Sequence, residues 1–319
     1  MQKFKAIFRV DAGPKIGLGH LQRSLSLAKA LRQLGADCVF LTNENKRSEE
    51  RIARFDFNCS TIDDTKSFGV NDVRQTLEMA SSQNCSAVIV DSDQEVIEYL
   101  SELRNAGLYI CAIDDLAPHP FPCQMVVNGD ANAHQLSYHS SSGDTLFILG
   151  TKYSLLGPEF WNASPRMSHD NVRVILITLG GSDPYNLMPR ILNSLGQIPG
   201  EFKIKAIVGP FFDNLSEVKS AAKCSQRPVK LILSPASTYE SALEADLAIS
   251  AGGQTMYELA CVGCPTIAVR IASNQDRQLN IFSEIGFARP VGRADHHGVV
   301  AAIVEEVKAM LTANDARIA

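Results

Sequence analysis

The sequence predicts an α/β protein made of two successive domains, each a parallel sheet covered by helices. Three observations carry this expectation. Strand and helix signals alternate along the chain, the strand segments are continuously apolar, and the alternation halts once at a polar, Pro-containing stretch before restarting. Continuous apolar strands belong to sheets buried on both faces, and βαβ alternation makes such sheets parallel. At 319 residues the chain also exceeds the size at which one hydrophobic core keeps growing.

The elements follow in order. Ala6–Val10 is a compact apolar run that ends in a Gly-rich turn. Leu21, Leu25, Ala28 and Leu31 recur at three- and four-residue spacing, which predicts a helix from about Leu21 to Leu34, stopped by Gly35. Cys38–Thr42, Ala87–Asp91 and Tyr109–Asp114 are the next strands, the last two separated by a helix over roughly Gln94–Ala106. Met125–Asn128 and Thr145–Leu149 are shorter candidates. Two strands end in aspartate, Asp91 and Asp114, at the end where parallel sheets place their ligands.

Leu156–Asn171 reads as a linker, dividing domains 1–160 and 161–319. Beyond it come strands at Val172–Leu179, Phe202–Val208, Lys230–Leu233, Leu247–Ser250 and Pro265–Val269. Helices are expected over about Pro184–Leu195 and His297–Thr312. The whole is two Rossmann-like domains with parallel sheets facing a central cleft.

Composition excludes several classes. A net charge of -5, without a dense Lys/Arg cluster, argues against nucleic acid as a partner. No apolar window approaches the roughly 20 residues of a membrane span, and the N-terminus has no signal-peptide pattern. The eight cysteines are scattered, so a cytoplasmic, reduced protein is expected. Cys261-Val-Gly-Cys264 is a lone C-x-x-C without a second ligand pair, and it reads as small buried thiols.

Three turns each follow a strand and open a helix. They are Asp11-Ala-Gly-Pro-Lys-Ile-Gly17-Leu-Gly19-His20, Leu179-Gly180-Gly181-Ser182-Asp183-Pro184, and Ser250-Ala-Gly252-Gly253-Gln254-Thr255. Glycine lets the backbone approach a ligand closely, and free N–H groups at a helix start favour an anion. In the second turn Ser182 or Asp183 is expected to cap a helix that has Pro184 at its first position. The spacing matches neither G-x-G-x-x-G nor a P-loop, which disfavours a nicotinamide dehydrogenase or an ATPase. His20 sits at a helix start, where imidazolium is disfavoured; it is a candidate neutral base, and the alternative is a His that merely caps its helix or packs in the turn.

At this point a family pattern is visible. Phe8-Arg-Val-Asp11 … Gly17-Leu-Gly19-His20-Leu-Gln-Arg23 resembles the N-terminal motif of the UDP-sugar hydrolases of the pseudaminic acid pathway, which remove UDP from UDP-2,4-diacetamido-2,4,6-trideoxy-β-L-altrose. Related spore-coat polysaccharide biosynthesis proteins share the motif. Ile113-Asp114-Asp115, Leu149–Phe160, Leu179–Pro184, Ser250–Leu259 and the pair Asn274-Gln275 match in the same order.

The resemblance implies a GT-B architecture and a metal-independent, cofactor-free, cytoplasmic enzyme that takes a UDP-sugar. By it, His20 is the base that activates water, with Asp91 beside it. Asp11, Gly17, Gly19, Arg23, Asn274 and Gln275 would contact the sugar. Gly180, Gly181, Ser182, Gly253 and Gln254 would hold the diphosphate, Glu258 the ribose hydroxyls, and Val208 and Gly209 would lie near the uracil.

The pattern departs at Val90-Asp91-Ser92-Asp93, where these hydrolases carry Val-Asp-His-Tyr. Asp91 could orient His20, and Asp93 could serve as an acid/base, ligate a cation or merely end its strand. Three activities therefore stay open: hydrolysis of a UDP-linked diacetamido-deoxy sugar in cell-surface sugar biosynthesis, glycosyl transfer from a UDP-sugar donor, and nucleotide-sugar binding without turnover.

Overall fold

The computed structural model describes residues 3–312 except 14, 15, 17, 63–66, 95, 168, 273 and 274. Gly17 and Asn274, both expected at the site, lie outside the described residues. The chain divides into two compact units, Met1–Pro158 and Glu159–Ala319.

Unit 1 holds a seven-stranded sheet in the order β3-β2-β1-β4-β5-β6-β7. The strands are β1 (Lys5–Val10), β2 (Asp37–Asn43), β3 (Asn58–Ile62), β4 (Ala87–Asp91), β5 (Tyr109–Ile113), β6 (Met125–Asn128) and β7 (Leu146–Leu149). Their pairings are parallel throughout. Helices α1 (Gly19–Gln33), α2 (Lys46–Ala53), α3 (Val70–Gln83) and α4 (Ile97–Asn105) connect them. The chain runs outward from β1 to β3 and then returns to lay β4 on the other side of β1, with Val10 opposite Asp91. That reversal is the switch point, beyond whose carboxyl strand ends open parallel sheets place their ligands.

One face of this sheet packs Phe8, Phe40, Ile89 and Ile113 with Leu21, Leu25 and Ala28 of α1. The other packs Ile7, Val88, Val90 and Ile110 with Tyr99, Leu100 and Leu103 of α4. Burying each such leucine stabilises the unit by about 1.5–3 kcal/mol. The stripe of α1 therefore anchors His20 and Arg23 at its first turns.

Unit 2 repeats the design with β8 (Val174–Thr178), α5 (Leu187–Leu195), β9 (Lys203–Val208), α6 (Leu215–Cys224), β10 (Val229–Leu233), α7 (Tyr239–Glu244), β11 (Leu247–Ala251), α8 (Thr255–Val262), β12 (Thr266–Arg270), α9 (Asp276–Glu284), β13 (Ala288–Arg293) and α10 (Val299–Thr312). Its six strands, also parallel, run β10-β9-β8-β11-β12-β13, so the switch point falls between β8 and β11.

Several details differ from the sequence expectation. Much of the expected linker belongs to unit 2: Phe160 is buried edge-on against Tyr239, and the Arg166 N–H donates to Val262. Helix α5 starts three residues after Pro184, because Asp183 reaches past the turn and accepts from the N–H groups of Leu187 and Met188 (2.8 Å each). Strands β3 and β13 carry no apolar run; both are edge strands, one mostly exposed and one containing Pro290 and Gly292. No helix among the described residues is long and apolar enough to cross a membrane.

Candidate functional site

At the switch point of unit 1 five charged side chains meet. Asp91, the last residue of β4, is fully buried and uses both carboxylate oxygens. Its Oδ1 faces His20 Nδ1 at 2.7 Å and accepts from Arg23 Nη2 at 2.6 Å. Its Oδ2 accepts from Arg23 Nε at 2.8 Å and from the Ser24 hydroxyl at 3.2 Å. Arg23 Nη1 donates to both oxygens of Asp115, at 2.8 and 2.6 Å. Asp93 Oδ2 lies 3.3 Å from His20 Nε2. His20 and Arg23 share a face of α1 because residues three apart are neighbours on a helix.

His20 Nδ1 also lies 3.1 Å from Arg23 Nη2. Both contacts cannot be hydrogen bonds to one nitrogen: guanidinium only donates, so Nδ1 would need to be bare toward it and protonated toward Asp91. The shorter contact, to an ionised carboxylate, decides the tautomer in favour of Nδ1–H donating to Asp91. Arg23 then stands beside His20 as a repelling charge.

The protonation of His20 is the main correction to the sequence reading. Burial by itself lowers its pKa, but the Asp91 carboxylate and the hydrogen bonds to Asp91 and Asp93 outweigh burial and Arg23, holding it at about 10. The expected neutral base is therefore an imidazolium in this structure. Asp91 shows the reciprocal effect: burial would raise it, yet Arg23 and His20 hold it at about 2. Burial likewise opposes the charge of Arg23, and Asp115 and Asp91 overcome it, holding Arg23 well above its ordinary value.

The other sites expected in unit 1 fare differently. Asp11 joins a neighbouring buried network rather than the His20 cluster. Its Oδ1 accepts from Arg9 Nη1 (2.5 Å) and the Asn43 N–H (3.1 Å), and Arg9 is fully buried against Asp72 and the Phe68 ring. Among the described residues Asp11 Oδ2 has no hydrogen-bond partner. Gly19 is exposed, with open space where a Cβ would stand. Asp114 turns away to brace its own loop, accepting from the N–H groups of Leu116 and Ala117 and the hydroxyl of Tyr138. Its neighbour Asp115, quoted in the Ile113-Asp114-Asp115 match but given no role there, accepts from Arg23. The Asp91-Ser92-Asp93 carboxylates flank His20, and no group of three or more His, Cys, Asp or Glu among the described residues is placed to hold a metal ion.

In unit 2 the topology sets the two glycine turns side by side, since Thr178 of β8 pairs with Ser250 of β11. Gly180 has φ +85°, which a side chain would resist. Gly209 is required by space: a Cβ there would lie 2.4 Å from the carbonyl oxygens of Gly180 and Gly181. The Phe211 N–H donating to Gly181 O (2.9 Å) ties the same two loops together, while Val208 is buried at the end of β9. Ser182 is half-buried beside them and caps no helix. Gly209→Ala is expected to destabilise the protein by about 1–3 kcal/mol. A denaturation midpoint equal to that of the parent protein would show that the two loops part freely.

Gly253 and Gln254 precede α8, with Gln275 Nε2 3.8 Å from where a Cβ of Gly253 would lie. Gln275 spends its carbonyl on the N–H groups of Ile271 and Ala272. Glu258 is buried on α8, and its Oε2 accepts from the Thr238 hydroxyl at 2.6 Å. Thr238 had no signal in the sequence, since its relevance comes only from that contact. Cys264 is buried and Cys261 half-buried, each against backbone carbonyls, and all eight cysteines are free.

No known family pattern matches the chain. The chain is similar to an uncharacterized protein of Methanocaldococcus jannaschii, 25% identical over 271 residues, covering 81% of this chain and 54% of that protein. It is also similar to the spore coat polysaccharide biosynthesis protein SpsG of Bacillus subtilis, 29% identical over 161 residues, covering 47% of this chain and 45% of that protein. The chain thus spans about half the length of the curated relatives it matches.

Among solved structures, MurG of Acinetobacter baumannii superposes with a TM-score of 0.66 at 15% identity, over 99% of this chain and 92% of that one. The calicheamicin glycosyltransferase CalG4 gives 0.63 at 13% identity, over 99% and 92%. S. aureus MnaA with UDP gives 0.60 at 13% identity, over 99% and 91%. Taken with the parallel sheets of seven and six strands, these likenesses establish that the chain has the GT-B fold.

Proposed function

We propose that this chain is an enzyme of cell-surface sugar biosynthesis that releases UDP from a UDP-linked acetamido-deoxy sugar by attack of water, without a metal ion or cofactor. The observation that carries the reading is the buried cluster of His20, Arg23, Asp91, Asp93 and Asp115 beyond the carboxyl ends of β4 and β5. Charged groups are costly to bury unless a task or tight pairing retains them. The similarity to SpsG supports the pathway class, and the UDP bound by a protein of like fold supports the leaving group.

On this reading unit 1 supplies the proton-handling groups and unit 2 the nucleotide site. Backbone N–H groups of Gly180–Ser182 and Gly253–Gln254 would stabilise the departing diphosphate, and Glu258, oriented by Thr238, would take the ribose hydroxyls. Asp11, Gly17, Gly19, Asn274 and Gln275 remain candidates for sugar contacts. His20, charged and held by Asp91, serves as a hydrogen-bond donor rather than as the base.

The test is UDP release from a panel of UDP-N-acetylhexosamines and diacetamido-trideoxyhexoses with no acceptor added. At least one sugar should yield UDP, and His20→Ala, which removes a charged donor from the cluster, should lower the rate by about 10²–10³-fold. UDP release only after an acceptor alcohol is added would move the assignment to glycosyl transfer. Binding of every sugar without turnover would leave a binding protein.

A further inference from the structure

We propose that Asp93 is the proton acceptor of this site: its carboxylate takes the proton of the attacking water, while His20, clamped between Asp91 and Asp93, holds that carboxylate in place. The inference rests on the reading that the cluster releases UDP from a UDP-sugar.

The hydrogen-bond ledger of the cluster leads there. Asp91 has both oxygens engaged by His20, Arg23 and Ser24, and its side chain has no exposure. Asp115 directs both oxygens at Arg23 Nη1, and its side chain is 18% exposed. His20 and Arg23 are 12% and 10% exposed. Asp93, at 35%, is the most accessible of the five, so an entering molecule meets it most readily.

His20 is unsuited to the role for a geometric reason. Asp91 fixes Nδ1–H, and Nε2 faces Asp93 at 3.3 Å. A neutral ring in that tautomer would set its Nε2 lone pair against a carboxylate, whereas imidazolium donates to both neighbours. An imidazolium has no lone pair with which to take a proton. The charged groups facing the pair are Asp91 from β4, Arg23 from α1 and Asp115 from the segment after β5. With two cations among three carboxylates, the site keeps Asp93 ionised at neutral pH, the form that can accept a proton.

The step balances. A lone pair of the water oxygen forms the bond to the anomeric carbon, and the bond from that carbon to the diphosphate oxygen breaks with its electrons leaving on UDP. The water proton goes to Asp93, whose exposure lets it pass the proton to solvent. A carboxylate that activates water for attack on an anomeric carbon is the arrangement of inverting glycosidases.

The experiment compares the parent protein with Asp93→Asn and Asp93→Glu, using UDP-N-acetylglucosamine, UDP-N-acetylgalactosamine and the diacetamido-trideoxyhexose panel as probes. UDP release is followed from about pH 5 to pH 9, with UDP affinity measured by calorimetry. The expected rate is level across that range, without an inflection near the ordinary His value of about 6.5. Asp93→Asn should lower kcat by about 10²-fold or more, with KM and UDP affinity within about threefold, and Asp93→Glu should restore part of the rate. A merely structural role would move affinity and melting temperature together with kcat.

If the parent protein releases UDP and Asp93→Asn keeps kcat within about threefold, the inference falls and the proposed function stands. An inflection near 6.5 abolished by His20→Gln would likewise return the role of base to His20. Failure of the parent protein to release UDP from every probe removes the proposed function, and the inference with it.

Discussion

Replacing Arg23 with alanine is expected to lower stability at neutral pH by about 3–5 kcal/mol, the cost of breaking a buried ion pair from one side. Arg23 is the only cation that touches both Asp91 and Asp115 among the described contacts, and it does so with three of its nitrogens. Without it Asp91 keeps His20 and Ser24, while Asp115 loses its described donor, Arg23 Nη1, from both oxygens. Arg23→Lys should recover only part of the loss, because a single ammonium cannot reproduce the fork that spans two carboxylates.

The deficit should also shrink at acid pH. With the guanidinium gone, the Asp91 carboxylate of the variant titrates above its present value and can be neutralised by protonation. Chemical denaturation at pH 7 and pH 4.5 measures both effects. A loss under about 1 kcal/mol at pH 7, the size of an exposed pair, would mean that water reaches the cluster.

The second large effect is the dependence of stability on pH that His20 imposes. Its pKa in the folded protein, about 10, lies above the ordinary 6.5. The folded state therefore holds a proton that the unfolded chain releases, and the resulting stabilisation is fully present below about pH 6.5. It declines as the pH rises and is lost once the pH passes about 10. Asp91 works in the opposite sense: held at about 2 against an ordinary 3.8, it stabilises above about pH 4 and loses that contribution as the pH falls toward 2.

The pair thus contributes most between about pH 4 and 6.5. Melting temperature should fall from pH 6.5 to pH 9.5, and His20→Gln should flatten that slope. Imidazole resonances of His20 observed by NMR should still report the charged ring at pH 8. A ring titrating near 6.5 would contradict the clamp between Asp91 and Asp93 and restore the neutral base.

Much of the architecture could be read locally. The apolar runs of β1, β4, β5, β8 and β11 and the stripe of α1 are periodic signals within a few residues of each other, and the strand-to-helix turns carry their own chemistry in Gly19, Gly180 and Gly253. What escaped had no such local mark. Strands β3 and β13 sit at sheet edges, where one side of pairing and little burial are required, so polar residues, Pro290 and Gly292 are tolerated. Helix α5 begins later than Pro184 implied because the capping carboxylate of Asp183 acts four and five residues ahead.

The sequence by itself determined the α/β class, the order of its principal elements and the position of His20 at the start of α1, since each follows from short-range periodicity and turn residues. Only the tertiary structure decided the charge on His20. A helix start disfavours imidazolium by about 0.3–1 kcal/mol in an ordinary exposed setting. That preference is overridden by Asp91, 71 residues away in the chain and 2.7 Å away in space, and by Asp93 on the other nitrogen. The partner of Arg23, Asp115 rather than Asp114, was likewise settled by a contact across 92 residues. Buried electrostatics depends on which carboxylates the sheet topology brings together, and that information is not local.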